Sequence, residues 1–412
     1  MRLRIYFELT RYKLPFSNTC KMDNYLLQLR RAWSTRDGPY LADLLSIRRN
    51  IHWHATSENV VREALDGLPM PFDDLVLCHL KTLSSLNKDD ISITYTCQNS
   101  SVQMLIKILQ NQKDENWMLP VMNLMCLELR LLAIRAEQAK KSKNLKPGET
   151  LEKCAECLMS CFRICAADNR SSEDDTKRWG MLSLVNQLLK VYFRINKLHL
   201  CKPLIRAIES SIYKDHFSLA QQITYKFFVG RKAMFDSDYK TADEYLTYAF
   251  QHCHKGSMQN KRLILLYLVP VKMLLGILPK YHLLKKYNLL EFSDLIDAVR
   301  KGNIQSLESV MSYQEGFLIN AGIYLIVEKL KLIAYRNLFK KVYLVLKTHQ
   351  IDMECLLGAL KIYGRNDLDI DETECIVANL IFDGKIKGYI SHQHKKLVIS
   401  KQNPFPKLSS LV

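Results

Sequence analysis

The sequence predicts an all-α array of paired, tetratricopeptide-like helices capped by a C-terminal winged helix with a small β-hairpin. Three observations lead there. Gly (14) and Pro (11) are sparse among 412 residues of which 48% are apolar, a composition that favours long helices over sheet. A helix-turn-helix form centred on 192–207 returns about 40 residues later. The last ninety or so residues carry three short amphipathic helices and then two β-rich runs.

In chain order, residues 1–22 form a weakly patterned tail. A helix is expected from Asp23, with Tyr25, Leu26, Leu29 and Trp33 on one face and a break at Asp37-Gly38-Pro39. A short helix over Tyr40–Ile47 precedes a loop at 50–60, and helices resume at 60–66 and 72–86. Lys88–Ser101 is polar and leans towards β, so periodicity assigns it no element. Val102–Gln112 and Trp117–Glu137 have broad apolar faces, with Glu128 and Arg130 expected on the solvated side. The lysine-rich Lys140–Gly148, closing on Pro147-Gly148, reads as a linker. A helical region at 23–145 is thereby separated from repeats at 146–327.

Within the repeats, Tyr192–Ala207 matches Met234–Ala249: a helix end, a short polar turn, then a helix of small followed by large apolar residues. Cys201 corresponds to Ala242 and Leu204 to Tyr245, and Asp297–Leu307 is a weaker third copy. Helix pairs with such a period cannot bury their apolar faces singly and stack on their neighbours.

The winged helix is expected over 328–402, with a tail at 403–412. In its first helix Leu338, Phe339, Val342, Tyr343 and Leu346 share a face, expected to be the core face, with Lys340 and Lys341 off it. Asp352 is placed to cap the second helix, which Gly364 ends. Asp369-x-x-Glu372 resembles a capping box for the third, which ends at Gly384. The runs Ile386–Ile390 and Lys396–Ile399 form a hairpin across His392-Gln-His-Lys395.

The balance of 59 Lys and Arg against 42 Asp and Glu gives a formal charge of +17, which points to a polyanionic partner. The hairpin from Lys385 to Lys401 holds five lysines and no acid. Five acids (Asp367, Asp369, Asp371, Glu372 and Glu374) gather where the third helix begins and would repel phosphate there. Contact through the wing and the first helix is therefore the expected mode, dependent on salt and indifferent to base sequence. A solvated wing in a domain that serves only for assembly is the competing reading. Twelve cysteines suggest reduced thiols, hence cytosol or nucleus. Cys154, Cys157, Cys161 and Cys165 lie on one narrow stripe of a helix, where they pack as small apolar residues and cannot surround a metal tetrahedrally. No secretory signal is expected, and Pro270 and Lys272 interrupt the longest apolar run, so no membrane insertion is expected. Phosphate-loop, dinucleotide, zinc-protease and nucleophile-elbow motifs are absent, which argues against an enzyme.

A helical-pair array running into a terminal winged helix resembles the PCI module of subunits of the proteasome lid, the signalosome and translation initiation factor three. The stretches Asp114–Met122, Lys177–Leu182, Asn186–Ile208, Tyr225–Leu246, Lys261–Gly276, Arg336–Gln350 and Gly388–Pro406 are similar to the PCI subunits of the nuclear-pore-associated transcription and export complex 2. The similarity runs from about Tyr25 to the C-terminus, and residues 1–22 depart from it. The resemblance implies a non-catalytic subunit without cofactors that acts in messenger RNA export. Its implied location is the nucleus and nuclear envelope or pore, with the cytoplasm as a second place. Implied partners are a GANP-type PCI scaffold joined through the winged helices, a small acidic DSS-type subunit clamping the helical array, and RNA or DNA backbone. Carried onto this chain, the nucleic-acid surface would be Lys340, Lys341, Lys385, Lys387, Lys395 and Lys396. The acid-clamping face would draw on Lys190, Arg194, Lys197, Lys202, Arg206, Lys226, Arg231 and Lys232. The alternative is a purely architectural PCI subunit of a signalosome-like or lid-like assembly, with no nucleic-acid contact.

Overall fold

The computed structural model describes residues 22–48, 62–63, 65–112, 115–142, 148–169 and 174–410. The expected loop at 50–60, the centre of the Lys140–Gly148 linker and nearly all of the 1–22 tail lie outside them. The chain separates into two compact units, residues 11–228 and residues 229–412, with the division inside the helix Leu219–Phe235. In the first unit, helices Phe72–Asn87, Ile91–Asn111, Leu119–Ser142, Glu149–Ala166 and Met181–Arg194 pack as sequential neighbours. In the second, Tyr239–His252 packs on Met258–Leu274, and Ser293–Lys301 packs on both Ile304–Tyr313 and Leu330–Leu346.

One turn recurs in both units. In the first, Arg36 (φ 55°), Asp89 (φ 60°) and Asn196 (φ 57°) are left-handed. The next N–H, of Asp37, Asp90 or Lys197, donates to the carbonyl five residues back, of Ala32 (3.0 Å), Ser85 (3.1 Å) or Tyr192 (3.0 Å). In the second unit Ser237 (φ 65°), Asn288 (φ 52°) and Gly302 (φ 66°) do the same, with bonds from Asp238 to Ala233 (2.9 Å), Leu289 to Leu284 (2.9 Å) and Asn303 to Ala298 (3.0 Å). Where the following residue is Asp or Asn, it also caps the next helix. Asp37, Asp90, Asp238 and Asn303 accept from the N–H groups of Tyr40 (3.0 Å), Ile93 (3.0 Å), Thr241 (3.1 Å) and Ser306 (2.9 Å). Two residues thus end one helix and start another, which folds the pair back on itself. Asn196, Ser237 and Gly302 are equivalent positions of the three sequence copies, and Cys201, Ala242 and Leu307, five residues on, are completely buried.

Three expectations for the first unit meet the structure differently. Lys88–Asp90 form the turn and Ile91–Ser101 is helical, part of Ile91–Asn111: the Asp90 cap and burial of Thr94 and Tyr95 override the β preference of its side chains. Glu128 and Arg130 are buried rather than solvated, because their helix has neighbours on more than one side. Glu128 accepts from Ser46 Oγ and Ile47 N (both 3.1 Å), and burial raises its carboxyl to about 7. Arg130 Nε donates to Gln187 Oε1 (2.6 Å). Cys154, Cys157, Cys161 and Cys165 are all buried, as expected for core residues, and burial pushes the Cys154 thiol up to about 12. Among the described residues no group of His, Cys, Asp or Glu is placed to hold a metal ion, and no helix is long and apolar enough to cross a membrane.

The end of the second unit is a winged helix. Its helices are Leu330–Leu346, Met353–Ile362 and Ile370–Phe382, with strand β1 (Gln350–Asp352) after the first and strands β2 (Gly388–Ser391) and β3 (Lys396–Ile399) forming the hairpin. β3 is central and antiparallel to both neighbours, with Ile351 opposite Leu397 and Tyr389 opposite Val398. The three-residue β1 is too short to show a period in the sequence. Asp352 occupies the cap position without capping; its carboxylate faces Lys396 Nζ at 3.4 Å. The capping box forms, with Glu372 N on Asp369 Oδ1 (2.7 Å) and Asp369 N on Glu372 Oε2 (3.2 Å). In the first helix only Leu338 and Phe339 of the expected face are fully buried. Val342 and Tyr343 are half-buried and Leu346 is 42% exposed, because the last turns run past the core.

Gly302 is where the array meets this domain. A Cβ there would lie 2.7 Å from the backbone N and 2.9 Å from the Cα of Leu338, on top of the cost of a positive φ. Asn196 and Ser237 tolerate side chains at equivalent turns. Gly302→Ala should therefore cost about 2–3 kcal/mol and lower the thermal midpoint by about 4–10 °C. Ser237→Gly should move it by no more than about 2 °C, both read by calorimetry.

Candidate nucleic-acid interface

The hairpin presents one face to the core and one outward, because side chains alternate along a strand. Leu397 and Ile399 of β3 and Ile351 of β1 are buried. Val398 and Lys396 therefore point outward, with Tyr389 and Ser391 opposite them on β2. Ser400 N donates to Lys387 O (2.8 Å), extending the pairing by one step and placing Lys387 on the Tyr389 side. Tyr389 is 62% exposed, on the same face of the hairpin as Lys387 and Lys396. Its period-two spacing from Lys387 and Ser391 was the signal for it in the sequence.

The six expected lysines are not equivalent. Lys387 and Lys395 are exposed on the hairpin and have no ion-pair partner among the described residues. Lys395 ends the turn in a left-handed conformation (φ 47°), and its carbonyl accepts from Met353 N (2.9 Å), which ties the wing to the start of the second helix. Lys396 is shared with Asp352. Lys385 is largely covered and held by Asp383 at 2.7 Å. Lys340 and Lys341 are exposed on the first helix and line a separate cavity; Lys341 Nζ donates to Lys301 O (2.9 Å).

The acids that were expected to repel phosphate are mostly engaged. Arg365 grips Asp367 through Nε (3.0 Å) and Nη2 (2.9 Å), and this pairing holds the Asp367 carboxyl below its usual range. Asp369 and Glu372 face backbone N–H groups in the capping box. Glu374 accepts from His392 Nδ1 at 2.7 Å, linking the third helix to the wing. Asp371 is the acid of the five left exposed without a partner among the described residues.

The basic run of the array is also divided. Lys202 and Arg206 are exposed, and Lys197 pairs with Glu152 (2.9 Å). Lys190 has no ion-pair partner among the described residues; burial, and then the nearby Arg130, lower it to about 8. In the other unit Arg231 stacks on the Tyr267 ring at 4.1 Å, and buried Lys232 pairs with Asp236.

A PCI domain model matches residues 310–401, which covers the winged helix and the helices just before it. PCI domain-containing protein 2 of Xenopus laevis is 51% identical over 95% of this chain and 98% of its own length. That of Danio rerio is 51% identical over 95% and 98%. The Drosophila melanogaster homologue is 53% identical over 94% and 99%.

The division of the lysines is testable without a ligand. Lys387→Glu and Lys395→Glu should leave stability within about 0.5 kcal/mol of wild type in urea unfolding. Lys385→Glu, which sets two carboxylates together at a largely covered site, should cost about 1 kcal/mol or more.

Proposed function

The chain belongs to the PCI domain-containing protein 2 family, and from that premise we propose that this PCI-domain scaffold subunit serves a nuclear, pore-associated messenger RNA export complex without catalysing a reaction. Its winged helix pairs with that of a GANP-type PCI scaffold, and a small acidic DSS-type subunit lies along the helical array. The joined domains hold RNA or DNA by its backbone, with no choice of sequence.

The observation that carries the nucleic-acid part is the hairpin, where Lys387 lies on the outer face with exposed Tyr389 and Lys395 is exposed at the turn, neither lysine having an ion-pair partner among the described residues. Two unneutralised ammonium groups attract phosphate, and a free ring stacks on any base. With four of the five neighbouring acids engaged, repulsion from the third helix is reduced. Support for a partner domain comes from Val345 (80%), Ile362 (81%) and Phe382 (90%), large apolar side chains exposed at the C-terminal ends of the three winged-helix helices. Support for an acidic subunit comes from Lys190, where a carboxylate would relieve a half-buried cation that has no ion-pair partner among the described residues.

The test is filter binding of single-stranded RNA to the complex purified through the tagged chain. Lys387→Glu/Lys395→Glu should weaken binding about tenfold near physiological salt and lower the slope of log K against log salt by about 1.4, with the scaffold still co-purifying. Unchanged RNA affinity in an intact complex would favour the purely architectural role.

A further inference from the structure

Within the second unit a cavity of about 550 Å³ lies between the first winged-helix helix, the 273–278 segment and the C-terminal stretch 405–409. Its size is that of a small-molecule site. Arg300, Arg336, Lys340, Lys341 and Lys407 line it, and among the described residues no Asp or Glu does. Its remaining surface is largely aliphatic, with Leu275, Ile333 and Leu408 among the lining residues.

The cations are poorly neutralised. Lys340 and Lys407 have no ion-pair partner among the described residues, and Lys341 reaches only the carbonyl of Lys301. Arg300 pairs with Asp297, but both side chains are more than half exposed, so that pair is weak. Arg336 is buried and meets no carboxylate among the described residues; its polar contacts there are the carbonyls of Lys385, Phe405 and Pro406 and the Asn337 amide oxygen. Its charge is therefore fixed in the wall of a site with no negative side chain. Cations converging on one compact cavity suit a small ligand of high charge density, and guanidinium and ammonium groups together suit phosphate. The aliphatic lining asks for an apolar body on the same molecule.

We propose that this cavity binds a nucleoside phosphate, with the phosphates on Lys340, Lys341, Arg300 and Lys407 and the base against the aliphatic lining. The site is distinct from the hairpin face and does not rest on the nucleic-acid reading.

The full-length protein would be titrated with ADP carrying a fluorescent ribose ester, then competed with ADP, with tripolyphosphate and with a glutamate-rich peptide. Saturable binding displaced by ADP is expected. It should weaken about tenfold in Lys407→Glu and in Ile277→Glu, both at exposed positions, with unchanged circular dichroism. RNA retention, measured on the same variants, should not change, so failure here is separable from failure of the hairpin reading. Absence of saturable binding, or wild-type affinity in both variants, would overturn the proposal. So would tripolyphosphate competing as well as ADP, since the apolar lining would then go unused. Displacement by the peptide in preference to ADP would assign the cavity to an acidic polypeptide instead.

Discussion

The wing depends on a buried guanidinium. Arg336, in the middle of the first winged-helix helix, donates from Nε to Lys385 O (3.3 Å) and from Nη2 to Phe405 O (3.2 Å) and Pro406 O (2.6 Å). Lys385 lies just before the hairpin and Phe405 just after it, so one side chain holds both ends of the ribbon to the helix. Its Nη1 donates to Asn337 Oδ1 (3.3 Å), and Asn337 Nδ2 donates to Val299 O (2.9 Å) in the helix Ser293–Lys301. The array, the first helix, the hairpin and the C-terminal segment of this unit are thereby joined through one hydrogen-bonded chain. A buried cation without a carboxylate is costly, and burial lowers the affinity of Arg336 for its proton. The cost is offset because the planar fork meets several fixed carbonyls at once, a geometry that a lysine could not reproduce.

That anchoring decides which charges remain free. With the ribbon ends fixed, the pairing of β3 with β1 and β2 sets which side chains face out, and the outward set includes Tyr389 and Lys387. Most acids of the domain are paired locally, Asp367 to Arg365, Asp383 to Lys385, Asp352 to Lys396 and Glu374 to His392, while Asp371 stays exposed. A sequence with five acids clustered at the start of its third helix therefore folds into a wing whose Lys387 and Lys395 have no ion-pair partner among the described residues. The excess is a product of folding and not of composition alone. A smaller, more enclosed group of cations gathers where the first helix meets the C-terminal segment, on a different surface with a different lining.

Much of this was legible in the residues because the same local device is used repeatedly. A left-handed residue followed by Asp or Asn closes one helix and caps the next at Asp37, Asp90, Asp238 and Asn303, and short polar side chains announce such positions. The helices, the capping box and the hairpin followed from such signals and from apolar period. What escaped depended on contacts distant in sequence. The β-branched run after Asp90 is helical because Asp90 caps it and its neighbours bury Thr94 and Tyr95. Glu128 and Arg130 are internal because their helix is covered on several sides, and one apolar face cannot reveal that. Periodicity showed the stripe from Leu338 to Leu346 but not where the helix leaves the core. Lysines that looked alike in the sequence differ according to the acid that folding brings to each, and Asp352 is a partner for Lys396 where a cap was expected.

The central claim is that Arg336 fixes the hairpin and, through it, the outward basic face. Hydrogen–deuterium exchange of Arg336→Met, compared with wild type as the full-length protein, addresses it most directly. The amides of Gly388–Ser391, Lys396–Ile399 and the 403–410 segment should lose protection by at least about tenfold, with helices of the 11–228 unit unchanged. Hairpin protection equal to wild type would contradict the account, since the ribbon would then hold its place without the side chain said to anchor it.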